Sequence, residues 1–232
     1  MKKLIIFLIL SSVTTVFADD LIVDKNSLNQ YEQDNYAHFN SFNFHGEYQG
    51  NNANIPPKPI YISDRINLPE TIPILGNQFT IEAMVYSKAH PLLPNQGIIG
   101  NDITAASNVE DRPPTITFHS DHQINYGFGT GNEGFQKAVK NVRVDNEWLH
   151  VAFSFDGTTC KLFVNGVLVD STDAAAGLIP KPVPISTIGS KFLGKIDEVR
   201  IWNLARPQTD IYSTMNGALS GNETGLVAYY PM

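Results

Sequence analysis

"GKIDEVRIWN", residues 194–203, is the stretch that decides the fold of this chain. Its composition is typical of a β-strand, in which successive side chains point to opposite faces. Strict alternation places Glu198 and Arg200 on one face and Asp197 with Val199 on the other. The two carboxyl groups of one catalytic cleft must share a face. The stretch therefore predicts that Asp197, Glu198 and Arg200 stabilise a sheet, and that function lies at the loops.

Alternation with a period of two residues recurs along the chain. The runs are rich in Val, Ile, Phe, Tyr and Thr and are separated by Gly, Asn, Asp and Pro, which is typical of short strands and turns. Predicted strands cover 79–87, 97–101, 114–120, 123–129, 148–156, 160–171, 186–190, 194–203 and 225–232, with one or two more near 38–44. This pattern predicts an all-β fold of the sandwich or barrel type.

Two turns and one helix complete the predicted elements. Asp156-Gly157 and Asn165-Gly166 lie between alternating runs, and Asn-Gly favours a type I′ hairpin turn because both residues tolerate positive φ. At most one short helix is expected, near 207–215, with Pro207 at its first position, where a missing N–H costs no hydrogen bond.

Several motifs in a fixed order resemble a known family. The core motifs "EWLHVAFSFDGTTCKLFVNGVLV", "IGSKFLGKIDEVRIWNLARPQTDI" and "GLVAYYPM" resemble laminin-G-like jelly-roll domains of the concanavalin A-like lectin/glucanase superfamily, which are related in fold to pentraxins. Upstream, "FTIEAMVYS" and "QINYGFGTGN" resemble further core strands. The resemblance covers residues 60–232 and implies a sandwich of two antiparallel sheets, with Trp148 also in a structural place. It implies glycan binding, often with calcium, but no particular reaction.

The amino terminus predicts export. Residues 1–18 combine a short basic start, the apolar run "LIIFLIL" and a small residue at Ala18, which is the pattern of a cleaved signal peptide. The apolar run is too short to span a bilayer as a helix; a retained anchor is the alternative. We expect a secreted or periplasmic chain without a membrane span, in which residues 19–59 lead into a jelly-roll domain at 60–232.

Charge argues against nucleic acid as a partner. Cleavage at Ala18 would leave 14 basic and 23 acidic residues, a net charge of −9 with His neutral. Phosphate backbones require clustered Lys and Arg, and the sequence has no such cluster with interleaved aromatic residues.

Catalytic motifs are not supported by residue spacing. Glucanases of this superfamily carry alternating carboxylates, as in Glu-x-Asp-x-Glu, and no such run occurs. No Ser–His–Asp set can be assembled; His150 lies within a predicted strand and Cys160 alternates with core positions. "GTGNEG" (129–134) matches a dinucleotide-binding pattern formally, but no βαβ unit surrounds it, so a hairpin loop is predicted.

Metal binding is considered at three places. Calcium prefers oxygen ligands on loops, and two pairs that follow predicted strands are candidates: Asn101 with Asp102, and Asn132 with Glu133. Solvated loop residues are the alternative. "HSDHQ" offers a third set, for which a surface hairpin tip is preferred: His119, Asp121 and His122.

Aromatic residues near loops are candidates for stacking on sugar rings. The predicted ligand-binding residues are Tyr126, Phe128, Asn132 and Phe135, with Tyr36 and Tyr48 as further candidates. The prediction is a non-catalytic recognition module for carbohydrate or a cell-surface or extracellular protein, with calcium as a candidate cofactor. The alternatives are a glycan-active hydrolase or lyase on the same fold and an envelope or matrix structural protein.

Overall fold

The computed structural model describes side chains for residues 65–68, 75–88, 95–101, 109–119 and 122–232, and gives the backbone of the strands that end by Ser63. The strands, in chain order, are β1 (Ile5–Ile9), β2 (Val13–Phe17), β3 (Ile22–Val23), β4 (Phe42–Phe44), β5 (Gly46–Gln49), β6 (Ile60–Ser63), β7 (Ile66–Asn67), β8 (Phe79–Ser87), β9 (Asn95–Gly100), β10 (Thr115–His119), β11 (Gln123–Gly129), β12 (Gly134–Val139), β13 (Trp148–Phe155), β14 (Cys160–Val164), β15 (Val167–Thr172), β16 (Thr187–Ile188), β17 (Gly194–Trp202) and β18 (Leu226–Tyr230).

The strands form two large antiparallel sheets and one small one. The first sheet has the order β15-β14-β13-β8-β17-β18-β1-β2, with β4 also paired to β17. The second has the order β12-β11-β10-β9-β16-β7-β3, and β5 pairs with β6. The predicted all-β sandwich is confirmed.

The predicted helix is also confirmed. Helix α1 spans Gln208–Thr214, and Pro207 precedes it as the N-cap with an extended ψ of 158°, one position earlier than predicted. Among the described residues, no helix combines the length and apolar character needed to cross a bilayer. Strands β1 and β2 lie within the predicted signal peptide, and cleavage at Ala18 stays a prediction.

The core lies between the two large sheets. Along β8, Phe79, Ile81, Ala83 and Val85 point into it, while the intervening residues face away. Phe79 packs edge-on against rings from both sheets, at centroid distances of 5.9 Å to Phe128 and 5.1 Å to Phe153. Each such side chain, when fully buried, stabilises the fold by about 1.5–3 kcal/mol.

The segment 203–225 covers the outer face of the first sheet, opposite the core. Ile211 of α1 is fully buried against Ala152 and Phe163. Further along the same face, Trp202 packs with Leu226 and Tyr229. The segment 203–225 therefore covers the outer face of β8, β13 and β17, and polar side chains on that face are buried beneath it.

Two hairpins show where local sequence chemistry succeeded and where it fell short. Asn165 and Gly166 have φ of 50° and 73°, which confirms the predicted turn between β14 and β15. A Cβ at Gly166 would lie 2.7 Å from Tyr212 Cδ2, so glycine is needed there. "GTGNEG" connects β11 to β12, as a hairpin loop should, but β12 itself was not predicted.

Candidate binding pocket

A β-bulge interrupts β17 between Asp197 and Arg200. Asp197 lies opposite Met84 and Arg200 lies opposite Glu82, so two residues of β17 stand against one residue of β8. Glu198, with a φ of 51°, occupies the left-handed region that non-glycine residues seldom adopt. The extra residue breaks the alternation on which the sequence prediction relied.

The bulge places both carboxylates on the outer face of the sheet. Ile196 and Val199 both belong to the core cluster although they are three positions apart. Asp197 and Glu198, between them, line one pocket on the opposite face. The prediction that the two carboxylates point to opposite faces is wrong, because strict alternation holds only where no residue is inserted.

The bulge pocket has a volume of about 340 Å³. Two walls form it: the outer face of β8, β13 and β17, and the turn that follows α1. Its lining residues are Met84, Trp148, Asp197, Glu198, Met215, Asn216, Gly217 and Ala218. The pocket combines an aromatic ring, two thioether side chains and two carboxylates, which is a mixture of apolar surface and hydrogen-bond acceptors.

Trp148 supplies the aromatic surface of the bulge pocket. It begins β13, and its side chain is 41% exposed, unlike the buried rings of the core. Tyr86 of β8 lies beside it, with ring centroids 5.8 Å apart and an interplanar angle of 61°. Trp148 was predicted to be structural. Its ring packs on one side against Tyr86, and its exposed part can contact a ligand.

Asp197 is held by the main chain. Its Oδ1 accepts hydrogen bonds from the N–H of Glu198 at 2.7 Å and of Met232 at 2.9 Å. Burial is the largest influence on this carboxyl, and it raises the pKa of Asp197 to about 6, assisted by the nearby charge of Glu198 and opposed by the two N–H groups and Arg200. Asp197 therefore exchanges its proton close to neutral pH.

Glu198 is held by side chains. Its Oε2 accepts hydrogen bonds from Arg200 Nη2 and from Tyr229 Oη, each at 2.7 Å. Burial and the contact with Glu198 raise the pKa of Tyr229 to about 12, so the phenol remains a donor at neutral pH. Glu198 therefore pairs with Arg200 of its own strand, and the carboxylate is fixed in orientation.

Arg200 joins the two walls of the pocket. It is fully buried, and it donates to the carbonyl oxygens of Thr214 at 3.0 Å and Gly217 at 2.6 Å. Because the same guanidinium contacts Glu198 and the turn 214–217, it fixes the turn against the bulge. The width of the pocket therefore depends on a buried charge.

A buried carboxylate lies beneath the pocket. Glu82 Oε1 accepts hydrogen bonds from Arg206 at 2.9 Å and Trp202 Nε1 at 3.0 Å, and Arg200 Nη1 lies 3.7 Å away. Burial by itself raises the pKa of Glu82, but His150 and the two arginines outweigh it and hold the pKa below its ordinary value. Sequence reasoning missed this network because Trp202 and Arg206 are more than 100 residues from Glu82 in the chain.

His150 belongs to that buried network. Its side chain is 2% exposed, and Nε2 lies 3.4 Å from Glu82 Oε2. The predicted placement inside a sheet is what the structure has. With no access to solvent, this imidazole is positioned to support Glu82 rather than to meet a ligand.

The predicted ligand-stacking aromatics lie elsewhere. Tyr126, Phe128 and Phe135 are at most 8% exposed and pack in the core. Tyr126 donates to Asp170 of β15, and Phe128 stacks 5.0 Å from Phe155. Their rings lie on the strand faces that point into the core. The sequence showed that they were aromatic and near a loop, but it did not show which face of the sheet they occupy. Tyr36 and Tyr48 lie outside the residues whose side chains are described.

The structure describes three of the four predicted calcium residues, Asn101, Asn132 and Glu133. Asn132 and Glu133 are exposed in the β11–β12 turn, where their N–H groups donate to Thr130 Oγ1. Asn101 follows β9, and Asp102 lies outside the described residues. In the part of the chain that is described, no group of three or more His, Cys, Asp and Glu side chains has a metal-binding arrangement.

The remaining candidates are a thiol and two histidines. Cys160 is a buried free cysteine, and burial raises its pKa to about 12. His119 ends β10, while His122 is exposed in the following turn, 3.8 Å from Asp145. Asp121 lies outside the described residues. His119 and His122 therefore sit at a hairpin tip, which was the preferred interpretation.

Two features of the pocket escaped the sequence analysis. Met84 and Met215 are far apart in the sequence and were not among the predicted binding residues. Asn216 and Gly217, just after the helix, form the facing wall. A signal was present in "TMNGAL", which follows the predicted helix with turn-forming residues, but nothing local shows that this turn folds back onto β17.

Comparison with known proteins places this architecture in a family. A laminin G family model, described as the Concanavalin A-like lectin/glucanases superfamily, matches residues 62–212. Pappalysin-1 of Mus musculus is 31% identical over 78 residues, which are 30% of this chain and 5% of that protein. The chain thus matches a small part of that relative's length.

Two solved structures illustrate the similarity. A candidate carbohydrate-binding protein from Bacteroides ovatus ATCC 8483 superposes with a TM-score of 0.55 at 21% identity, covering 72% of this chain and 48% of that one. The CBM40 domain of Ruminococcus gnavus IT-sialidase, bound to α2,3-sialyllactose, gives 0.49 at 15% identity, covering 62% and 84%.

Proposed function

The chain belongs to the concanavalin A-like lectin/glucanases superfamily, and from that premise we propose that it is a secreted recognition module whose bulge pocket binds a carbohydrate without transforming it. The observation that carries this proposal is the exposed ring of Trp148 beside two carboxylates in one pocket. Sugars present apolar C–H faces and hydroxyl edges, which suit an aromatic surface and oriented acceptors respectively.

Backbone strain at the pocket supports a functional role. A glutamate in the left-handed region costs of order 1–3 kcal/mol, and Glu198 adopts it at a φ of 51°. Nearby, Asp197 is a partly buried carboxyl. Burial makes its ionised form costly and thereby raises its pKa. Two costly features at one pocket fit a site maintained for binding.

Binding without turnover fits the arrangement of the carboxylates. Glycoside hydrolysis places two carboxyl groups on either side of the scissile bond, about 5–9.5 Å apart. Asp197 and Glu198 are neighbours on one wall, and the facing wall, formed by Met215, Asn216, Gly217 and Ala218, carries no titratable side chain. In addition, Glu198 is already held by Arg200 and Tyr229.

Calcium and export stay part of the proposal. Calcium binding at the loops would involve Asn101, Asp102, Asn132 or Glu133, and secretion would follow cleavage at Ala18. A thermal shift on adding millimolar calcium tests the metal; no shift would remove it. Mass spectrometry of the exported chain tests the cleavage site.

A glycan array decides the main proposal. We expect the protein to bind at least one glycan on the array. Trp148→Ala should weaken that binding by about 30-fold, because the loss of a central aromatic contact typically costs about 2 kcal/mol. Tyr212→Ala is the matched control, because Tyr212 is an aromatic residue 62% exposed on α1 outside the pocket lining. The array is run with calcium and with chelator. Failure to retain any glycan in either buffer, or equal losses in the two variants, would overturn the proposal.

A further inference from the structure

We infer that the bulge pocket selects neutral or amine-bearing saccharides and rejects those that carry a carboxylate or sulfate; this inference rests on the proposed carbohydrate-binding function. The first observation is the charge of the lining. Asp197 and Glu198 are its only ionisable side chains among the described residues that form it, and none of those residues is Lys, Arg or His.

Each carboxylate keeps one oxygen for a ligand. Asp197 uses Oδ1 for both main-chain hydrogen bonds, and Glu198 uses Oε2 for both side-chain hydrogen bonds. No described residue donates to Asp197 Oδ2 or Glu198 Oε1, and neither atom is buried. Carboxylate oxygens only accept hydrogen bonds, so a ligand must bring donors, such as hydroxyl or ammonium groups.

Arg200, the cation paired with Glu198, cannot serve an acidic ligand. Arg200 is fully buried, and its two terminal nitrogens donate to Thr214, Gly217 and Glu198. Its charge offsets that of Glu198 without offering a donor to the pocket. An acidic group entering the pocket would therefore face the charge of Asp197 and two open acceptors, with no exposed donor side chain of opposite charge.

The size of the selection follows from charge separation. Two like charges about 5 Å apart at a partly solvated surface repel enough to weaken binding by about tenfold. An ammonium group in the same position should strengthen binding by a similar factor. Both effects shrink with added salt, because the Debye length falls from about 10 Å at 0.1 M to about 3 Å at 1 M.

The test uses matched glycan pairs on an array at pH 7.5. The members of each pair differ in charge: lactose with 3′-sialyllactose, a galactoside with its 6-sulfate, and N,N′-diacetylchitobiose with the form in which both amines are free. We expect each acidic member to bind about tenfold more weakly than its neutral parent. Asp197→Asn keeps the Oδ1 acceptor and should reduce this difference to about twofold. Asp111→Asn, an exposed carboxylate outside the pocket, should leave it unchanged.

The outcomes separate the two proposals. If acidic members bind as well as their parents while Trp148→Ala still weakens binding as predicted, the charge selection is overturned and the binding function stands. If Asp197→Asn and Asp111→Asn change the ratio equally, the selection does not arise in this pocket and is likewise overturned. If no glycan binds at all, both proposals fail together.

Discussion

Replacing Asp197 by asparagine should stabilise the protein at neutral pH. The carboxyl has a pKa raised from its ordinary value of 3.8 to about 6. A group whose pKa is higher in the folded state binds more protons when folded, so stability falls as pH rises from about 4 to about 6 and is constant above that. Asparagine retains an Oδ1 acceptor for the N–H groups of Glu198 and Met232 and removes the charge.

The magnitude follows from the shift. Two pKa units correspond to about 3 kcal/mol, and because the Asp197 side chain retains solvent contact, screening reduces this to about 1–2 kcal/mol. Urea unfolding of both proteins between pH 4 and pH 7.5 measures it. We expect Asp197→Asn to gain this amount at pH 7.5 and to equal the parent near pH 4. A variant that is less stable at pH 7.5, or a difference that does not change with pH, would refute the reasoning.

Two further predictions concern the interior. Arg206→Met should destabilise the protein by about 3–5 kcal/mol in urea unfolding, because Glu82 loses a buried partner. The double variant that also carries Glu82→Met should recover part of that loss. A loss below about 1 kcal/mol for Arg206→Met would contradict the importance of the pair. Cys160 should resist iodoacetamide at pH 8 in the folded protein and react fully in guanidinium, because burial raises the pKa of its thiol to about 12. Alkylation at equal rates in both states would show that the thiol is not protected.

The fold was largely predictable from the sequence because its determinants are local. Alternation along 79–87 and 123–129 matches the observed β8 and β11 residue for residue. Asn165-Gly166 specified its turn through the positive φ that both residues tolerate. Strand β12 was missed because its sequence, "GFQKAV", buries only one side chain, that of Phe135, and so lacks a hydrophobic face.

The pocket was not predictable in the same way because it depends on register. Nothing within 194–203 shows that β8 offers one residue, Ala83, against two, Glu198 and Val199; the bulge exists only once the strands pair. The same holds for the exposure of Trp148, which depends on where the turn 215–218 ends. The sequence motifs singled out Asp197, Glu198 and Trp148, but they did not show which face of the sheet each side chain occupies.

The bulge also separates two sets of evolutionary constraints. Ile196 and Val199 pack in the core on either side of it, while Asp197 and Glu198 face outward. An inserted residue can change identity without altering the packing volume of the sandwich. Related chains with the same sheet could therefore change these two positions, and their ligand preferences with them, without repacking the interior.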